Sequence, residues 1–69
     1  MVGRYRITSP TIALIKEEGR HVAHTIQAGE VVKIVDETLD GDRLVDVVWG
    51  GRVVMMFAQD LRSRSTSVE

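Results

Sequence analysis

Four arginines, two near each end of the chain, are the residues best suited to binding chemistry in this sequence. They are Arg4, Arg6, Arg62 and Arg64. Side chains two residues apart on a β-strand point to the same side, so pairing of the terminal segments would gather all four guanidinium groups. Such groups bind phosphates and carboxylates through forked hydrogen bonds. The sequence therefore contains a candidate anion site, and the alternative is that these charges keep exposed strand edges from aggregating.

Nucleic acid is not the anion that the composition favours. The formal net charge is −1, and aromatic residues, whose rings could stack on bases, make up 4% of the chain. Glu17, Glu18 and Glu30 also lower the positive potential around the arginines. We therefore expect weak nucleic-acid or anion binding only as an alternative to another function.

Metal and catalytic chemistry have little support. His21 and His24 are three residues apart, so on a strand they point to opposite faces and cannot share a metal. The acidic stretch 36–42 contributes Asp36, Glu37, Asp40 and Asp42, but its spacing does not match a calcium-binding EF-hand loop, and we predict a solvated loop. The sequence has no glycine-flanked nucleophilic serine and no phosphate-binding glycine loop. We predict a non-enzymatic protein without a metal or another cofactor.

Chain length and composition favour a single, marginally stable domain. A chain of 69 residues buries a modest share of its surface, and with 0 Cys it has no disulfide to compensate. Oligomerisation is the remaining route to extra stability. No apolar run approaches the roughly 18 residues of a membrane span, and the first residues lack the apolar segment of a signal peptide. We expect a cytoplasmic protein with no membrane partner.

Turn signals recur at the spacing that is typical of a small all-β domain. Gly19, the pair Asp40-Gly41 and the doublet Gly50-Gly51 are the clearest of them. The segments between them alternate or are rich in β-branched residues, which strands favour. We predict strands near 5–8, 11–15, 21–26, 31–35, 43–49 and 52–57, one tight turn at 58–61 and a last short strand at 62–64.

The doublet Gly50-Gly51 predicts a two-residue hairpin, which fixes the register of the strands on either side. Trp49 then lies opposite Arg52, where the two could stack as a cation–π pair. Because directly opposed residues share a face, one face is apolar and is assigned to the core: Val45, Val47, Val54 and Met56. The other face carries Leu44, Val48, Val53, Met55 and Phe57, with Asp46 among them.

The second face is too apolar for the solvent side of a monomer. Contiguous exposed apolar patches usually mark an interface. We therefore predict that these five apolar residues form the contact between copies in a homo-oligomer. The alternative is that strand curvature or the N-terminal hairpin covers this face within one subunit.

The block from Ile26 onward resembles the SH3-like barrel, especially its bacterial form. The resemblance rests on Ile26-x-x-Gly29-Glu30-x-Val32-x-Ile34, a variable acidic loop, Val45-x-Val47-x-Trp49, the Gly-Gly tip, Val54-x-Met56-Phe57, a one-turn helix and Leu61. It implies an all-β SH3-like barrel of about five strands at 1–64, with one 3₁₀ turn before the last strand and a disordered tail at 65–69. It also implies that the first and last strands lie side by side. The aromatic groove that binds proline-rich peptides is missing.

One enzyme class shares this architecture, the plasmid-borne type II dihydrofolate reductases. Their pore strand reads Val-Gln-Ile-Tyr, and the strand here reads Val54-Met55-Met56-Phe57. It keeps the apolar pattern but lacks the amide and the phenol. The favoured expectation is thus a cytoplasmic, self-associating protein-interaction or structural module, which also contacts another protein. An oligomeric enzyme is the remote alternative.

Overall fold

Alternating apolar residues build one antiparallel sheet in the computed structural model, which describes residues 2–35 and 43–68. The elements are β1 (Gly3–Ile7), β2 (Thr11–Glu17), β3 (Arg20–Ile26), β4 (Val31–Ile34), β5 (Leu44–Trp49), β6 (Arg52–Phe57), α1 (Ala58–Arg64) and β7 (Ser65–Ser67). The strand order is β3-β2-β6-β5-β4-β1-β7, with β3 and β7 at the two edges. The all-β prediction is confirmed, but the sheet of the described residues has seven strands rather than about five, and it is not closed.

The C-terminal segment differs from its prediction. Residues 58–64 form the α-helix α1 instead of a 3₁₀ turn followed by a strand. Ala58 and Leu61, one turn apart, are both buried, so the helix has an apolar side that packs on the sheet. An acidic residue in its first turn and arginines in its last turn complement the helix dipole. The last strand is Ser65–Ser67, which pairs with β1 and is not part of a disordered tail.

The core lies on one side of the sheet and is closed at one end by α1. Its buried apolar residues are Ile7, Ala13, Ile15, Ile26, Val32, Ile34, Val45, Val47, Val54, Met56, Ala58 and Leu61. The four residues assigned to the core from the hairpin register are all among them, which confirms that face assignment. Thr11 is the buried polar member, and its hydroxyl donates a hydrogen bond of 2.9 Å to Asp60 on α1.

Two tight turns depend on positive φ angles. Gly50 and Gly51 have φ of 61° and 79°, as the two-residue turn requires. The register that follows is the predicted one, from Trp49 opposite Arg52 to Leu44 opposite Phe57. In the β2–β3 turn, Gly19 also has positive φ (76°), but its neighbour Glu18 adopts φ of 50° without being glycine.

The predicted acidic loop with Asp36, Glu37, Asp40 and Asp42 lies outside the described residues, as does its Asp40-Gly41 turn. Across the ranges 2–35 and 43–68, no helix has the length and apolar character needed to cross a bilayer.

Replacing Glu18 by Asn should stabilise the fold. A left-handed backbone costs most residues free energy, whereas Asn tolerates it and Asn-Gly is the preferred pair for this turn. We expect Glu18→Asn to raise the free energy of unfolding by about 0.5–1 kcal/mol in urea titrations followed by circular dichroism. Glu17→Asn is the matched control, since Glu17 lies in extended β2, and it should give no gain. A loss of stability in Glu18→Asn would contradict this account of the turn.

Candidate functional site

The side of the sheet opposite the core carries a broad apolar surface. On β5 and β6, Val53 is 65% exposed, Phe57 41% and Leu44 37%, and Val48 and Met55 are partly buried. These are the five residues that the sequence predicted for one face. Their shared face follows from the observed pairs, in which Leu44 lies opposite Phe57 and Val48 opposite Val53.

Strand β2 widens this surface, which the sequence did not predict. Leu14 pairs with Met55, and continuing that register by two residues puts Ile12, which is 48% exposed, beside Phe57. The N-terminal hairpin thus extends the sheet at the edge of β6 and does not cover the apolar side. We call the seven residues together the outer face: Ile12, Leu14, Leu44, Val48, Val53, Met55 and Phe57.

Charged residues occupy defined positions within and around the outer face. Asp46 lies directly opposite Met55, near the centre of the apolar residues. Lys33 on β4 lies opposite Val48, and Lys16 on β2 points to the same side from beyond Leu14. All three charged side chains are exposed. The face therefore combines one central carboxylate with ammonium groups at its sides.

The arginines of the two ends are held by different elements. Arg4 and Arg6 point to the exposed side of β1. Arg4 lies opposite Lys33 on β4, and Arg6 lies between Val31 on β4 and Thr66 on β7. Pairing of the first and last strands is thus confirmed.

Arg62 and Arg64 lie on α1, not on the last strand as predicted. Arg62 donates to the side-chain oxygen of Gln59 at 2.8 Å. Arg64 donates to the carbonyl of Pro10 at 3.1 Å and lies 3.8 Å from the Asp60 carboxylate. The Arg64–Pro10 hydrogen bond ties the helix to the residue before β2, whereas the contacts of Arg62 with Gln59 and of Arg64 with Asp60 lie within the helix.

A carboxylate anchors the tip of the β5–β6 hairpin. Glu30 accepts hydrogen bonds from the Trp49 indole N–H at 3.0 Å and from the Gln27 backbone N–H at 2.7 Å. Its own backbone carbonyl accepts from Ile7 at 2.8 Å. Arg52, which lies opposite Trp49 as predicted, is 3.9 Å from Glu17 on β2. Glu17 on β2 and Glu30, just before β4, thus hold the hairpin tip from both sides.

We expect Glu30→Ala to destabilise the fold by about 1–3 kcal/mol, because it leaves the partly buried indole N–H and a backbone N–H without acceptors. The measurement is the urea midpoint at constant slope. Glu17→Ala is the control: it removes a carboxylate from an exposed ion pair and should cost no more than about 0.5 kcal/mol. Equal losses in the two variants would show that the Glu30 contacts contribute nothing specific.

The histidines do not form a site. His21 lies opposite Lys16 and His24 opposite Ala13, so the two point to opposite faces, as predicted. The Nε2 atom of His24 is buried and makes no hydrogen bond with the described residues. Across residues 2–35 and 43–68, no three metal-ligating side chains converge.

The strand that resembles the reductase pore strand is split between the two sides of the sheet. Val54 and Met56 lie in the core, whereas Met55 and Phe57 belong to the outer face.

No protein-family model, no curated protein and no solved structure matches this chain. The residues and their geometry are therefore the basis for assigning a function.

Proposed function

We propose that the protein is a non-enzymatic interaction module of the cytoplasm, which associates with a second copy of itself through the outer face. The observation that carries this proposal is the set of seven apolar side chains on the exposed side of the sheet. A sheet normally buries its apolar side against another layer. Here the core is already on the opposite side, so the outer face needs a partner from another molecule.

The small size of the chain supports the same proposal. A domain of 69 residues without cysteine has a limited core and gains stability from association. Val53 has the largest exposed fraction in the face at 65%, and Ile12, Phe57 and Leu44 follow with 48%, 41% and 37%. Covering them would remove apolar area from water at about 25 cal/mol per Å².

We further propose that the module is a variant of the SH3-like barrel. What supports this is the element order after Ile26, with two strands joined by the Gly-Gly hairpin, a short helix and a final strand that returns beside β1. In this proposal, the β2–β3 hairpin is an extension added at the edge of β6.

Met55→Glu should dissociate the oligomer while leaving the subunit folded. Met55 is at the centre of the outer face, next to Asp46, so a second carboxylate would have to be buried there. We expect the dissociation constant to rise by about a hundredfold or more, measured by sedimentation or light scattering. Gln59→Glu is the control, because it adds the same charge on α1, away from the face. A wild-type protein that is monomeric at high micromolar concentration would refute self-association, and an unchanged Met55→Glu oligomer would refute this surface.

Anion binding is a second candidate, and one specific observation favours it. Arg4 and Lys33 are directly opposed on neighbouring strands, and Arg6 lies two residues further along β1 on the same side. Cationic groups in this arrangement would together hold an anionic ligand through charge-assisted hydrogen bonds. This candidate uses the strip formed by Arg4, Arg6 and Lys33, whereas the sequence prediction grouped Arg4 and Arg6 with Arg62 and Arg64, which lie on α1.

This candidate predicts salt-dependent binding of single-stranded RNA or DNA, with an affinity that falls as salt rises. Arg6→Glu should weaken such binding by about tenfold, whereas Arg62→Glu on the helix should have a smaller effect. A filter-binding titration at low and high salt is the measurement. Absent binding, or binding that does not respond to salt, would remove this candidate.

A further inference from the structure

Asp46 determines which partner the outer face can accept. Its carboxylate lies among apolar neighbours, opposite Met55. A partner that covers the face with apolar groups alone would strip water from this charge, which costs several kcal/mol. The partner must therefore place a cation or other hydrogen-bond donors over Asp46. This inference rests on the proposed self-association and asks how a second copy would meet that requirement.

Two neighbouring rows of side chains cross the outer face at right angles to the strands. The first, the Asp46 row, contains Leu14, Met55 and Asp46. The second, the Lys33 row, contains Val53, Val48 and Lys33. The rows are two residues apart along each strand, which is about 7 Å. Each copy thus carries its carboxylate and its ammonium group in adjacent rows.

Only one aligned arrangement of two copies satisfies these charges. Sheets that pack face to face with aligned strands can be related by a two-fold axis along the strands or across them. An axis along the strands lays each row on its own copy, so Asp46 faces a member of its own row and not Lys33. An axis across the strands through the Asp46 row places Asp46 on the partner's Asp46. An axis between the two rows instead lays the Asp46 row on the Lys33 row.

The last arrangement brings opposite charges together. Asp46 then lies over the partner's Val48, one strand spacing, about 4.8 Å, from the partner's Lys33. The lysine side chain is long enough to bridge that offset and to keep its apolar stem on the sheet. The two-fold axis creates the contact twice, and Met55 packs on the partner's Val53 one strand away, along β6, beside the ion pairs.

We propose that two copies pack face to face about a two-fold axis crossing the strands between these rows, with Asp46 of each copy paired to the partner's Lys33. Lys33 is exposed and Asp46 is exposed in the single chain, so both are free to reorient on association. The pairs would fix the register of the dimer, and the apolar contacts would supply most of its affinity.

Complementation between two variants tests this arrangement. Asp46→Lys alone places two lysines together at both contacts, and Lys33→Asp alone places two aspartates together. Each variant should dimerise at least about tenfold more weakly than wild type. In an equimolar mixture, both contacts regain opposite charges, so the mixed dimer should approach wild-type affinity. Sedimentation of differently labelled variants measures each species directly.

Lys16→Asp is the matched control. Lys16 is also an exposed lysine at the side of the outer face, but the proposed axis keeps it away from Asp46. Mixed with Asp46→Lys, it should not restore the dimer. Restoration by Lys16→Asp instead of Lys33→Asp would overturn the aligned arrangement in favour of crossed sheets. If a charge reversal unfolds the chain, Asp46→Asn and Lys33→Gln form a double-mutant cycle. Additive effects of the two substitutions on the free energy of dimer dissociation would show that the residues do not pair.

The outcomes separate this inference from the proposed function. A wild-type monomer removes self-association and, with it, the ion pair. A wild-type dimer that Met55→Glu dissociates, but that the mixture of Asp46→Lys and Lys33→Asp does not restore, keeps the outer face as the interface and overturns only the two-fold arrangement.

Discussion

The backbone conformation of Gly50 and Gly51 is the constraint on which the rest of this structure depends. With both residues at positive φ, the hairpin closes after two residues and its register is fixed. A shift of one residue would move every side chain of β5 and β6 to the other side of the sheet. The register therefore decides at once which residues form the core and which form the outer face. Both sets are apolar, so the hairpin has two apolar surfaces, and a single subunit fully buries only the core-side one.

The arrangement of the sheet explains why the second surface stays exposed. In a sandwich, another sheet would pack on it, and in a closed barrel only the inner side would be apolar. Here β2 joins the edge of β6 and adds Ile12 and Leu14 to the apolar side, and α1 packs on the core side through Ala58 and Leu61. Strand β2 thus enlarges the outer face, and α1 leaves it uncovered. The carboxylate of Asp46 within it restricts the partners that can cover it, which is a form of specificity that apolar contacts alone do not provide.

The local features of this fold could be read from the sequence, and the long-range ones could not. The glycine doublet and the alternation of residues 44–57 predicted the hairpin, its register and both faces. The pairing of β2 with β6 joins segments far apart in the chain and leaves no local signal, so the contribution of Ile12 and Leu14 was missed, although the alternation in β2 shows that they share a side. The helix was predicted only as one tight turn at 58–61, because Ser63 and the flanking arginines suit a strand edge as well as a helix. Its stability comes from burial of Ala58 and Leu61 and from contacts with Pro10 and Thr11, which require the folded sheet.

The position of β1 has a consequence for how the chain acquires its structure. This strand lies between β4 and β7, so the first strand of the sheet to be synthesised pairs on one side with the last. Contacts between distant segments are slow to form because the intervening chain must lose entropy first. Both β1 and β4 precede β7 in the chain, so β1 can pair with β4 before β7 is available. Until β7 emerges, Tyr5 and Ile7 have an unpaired backbone edge, so the order of synthesis sets a time window in which that edge is open to other chains.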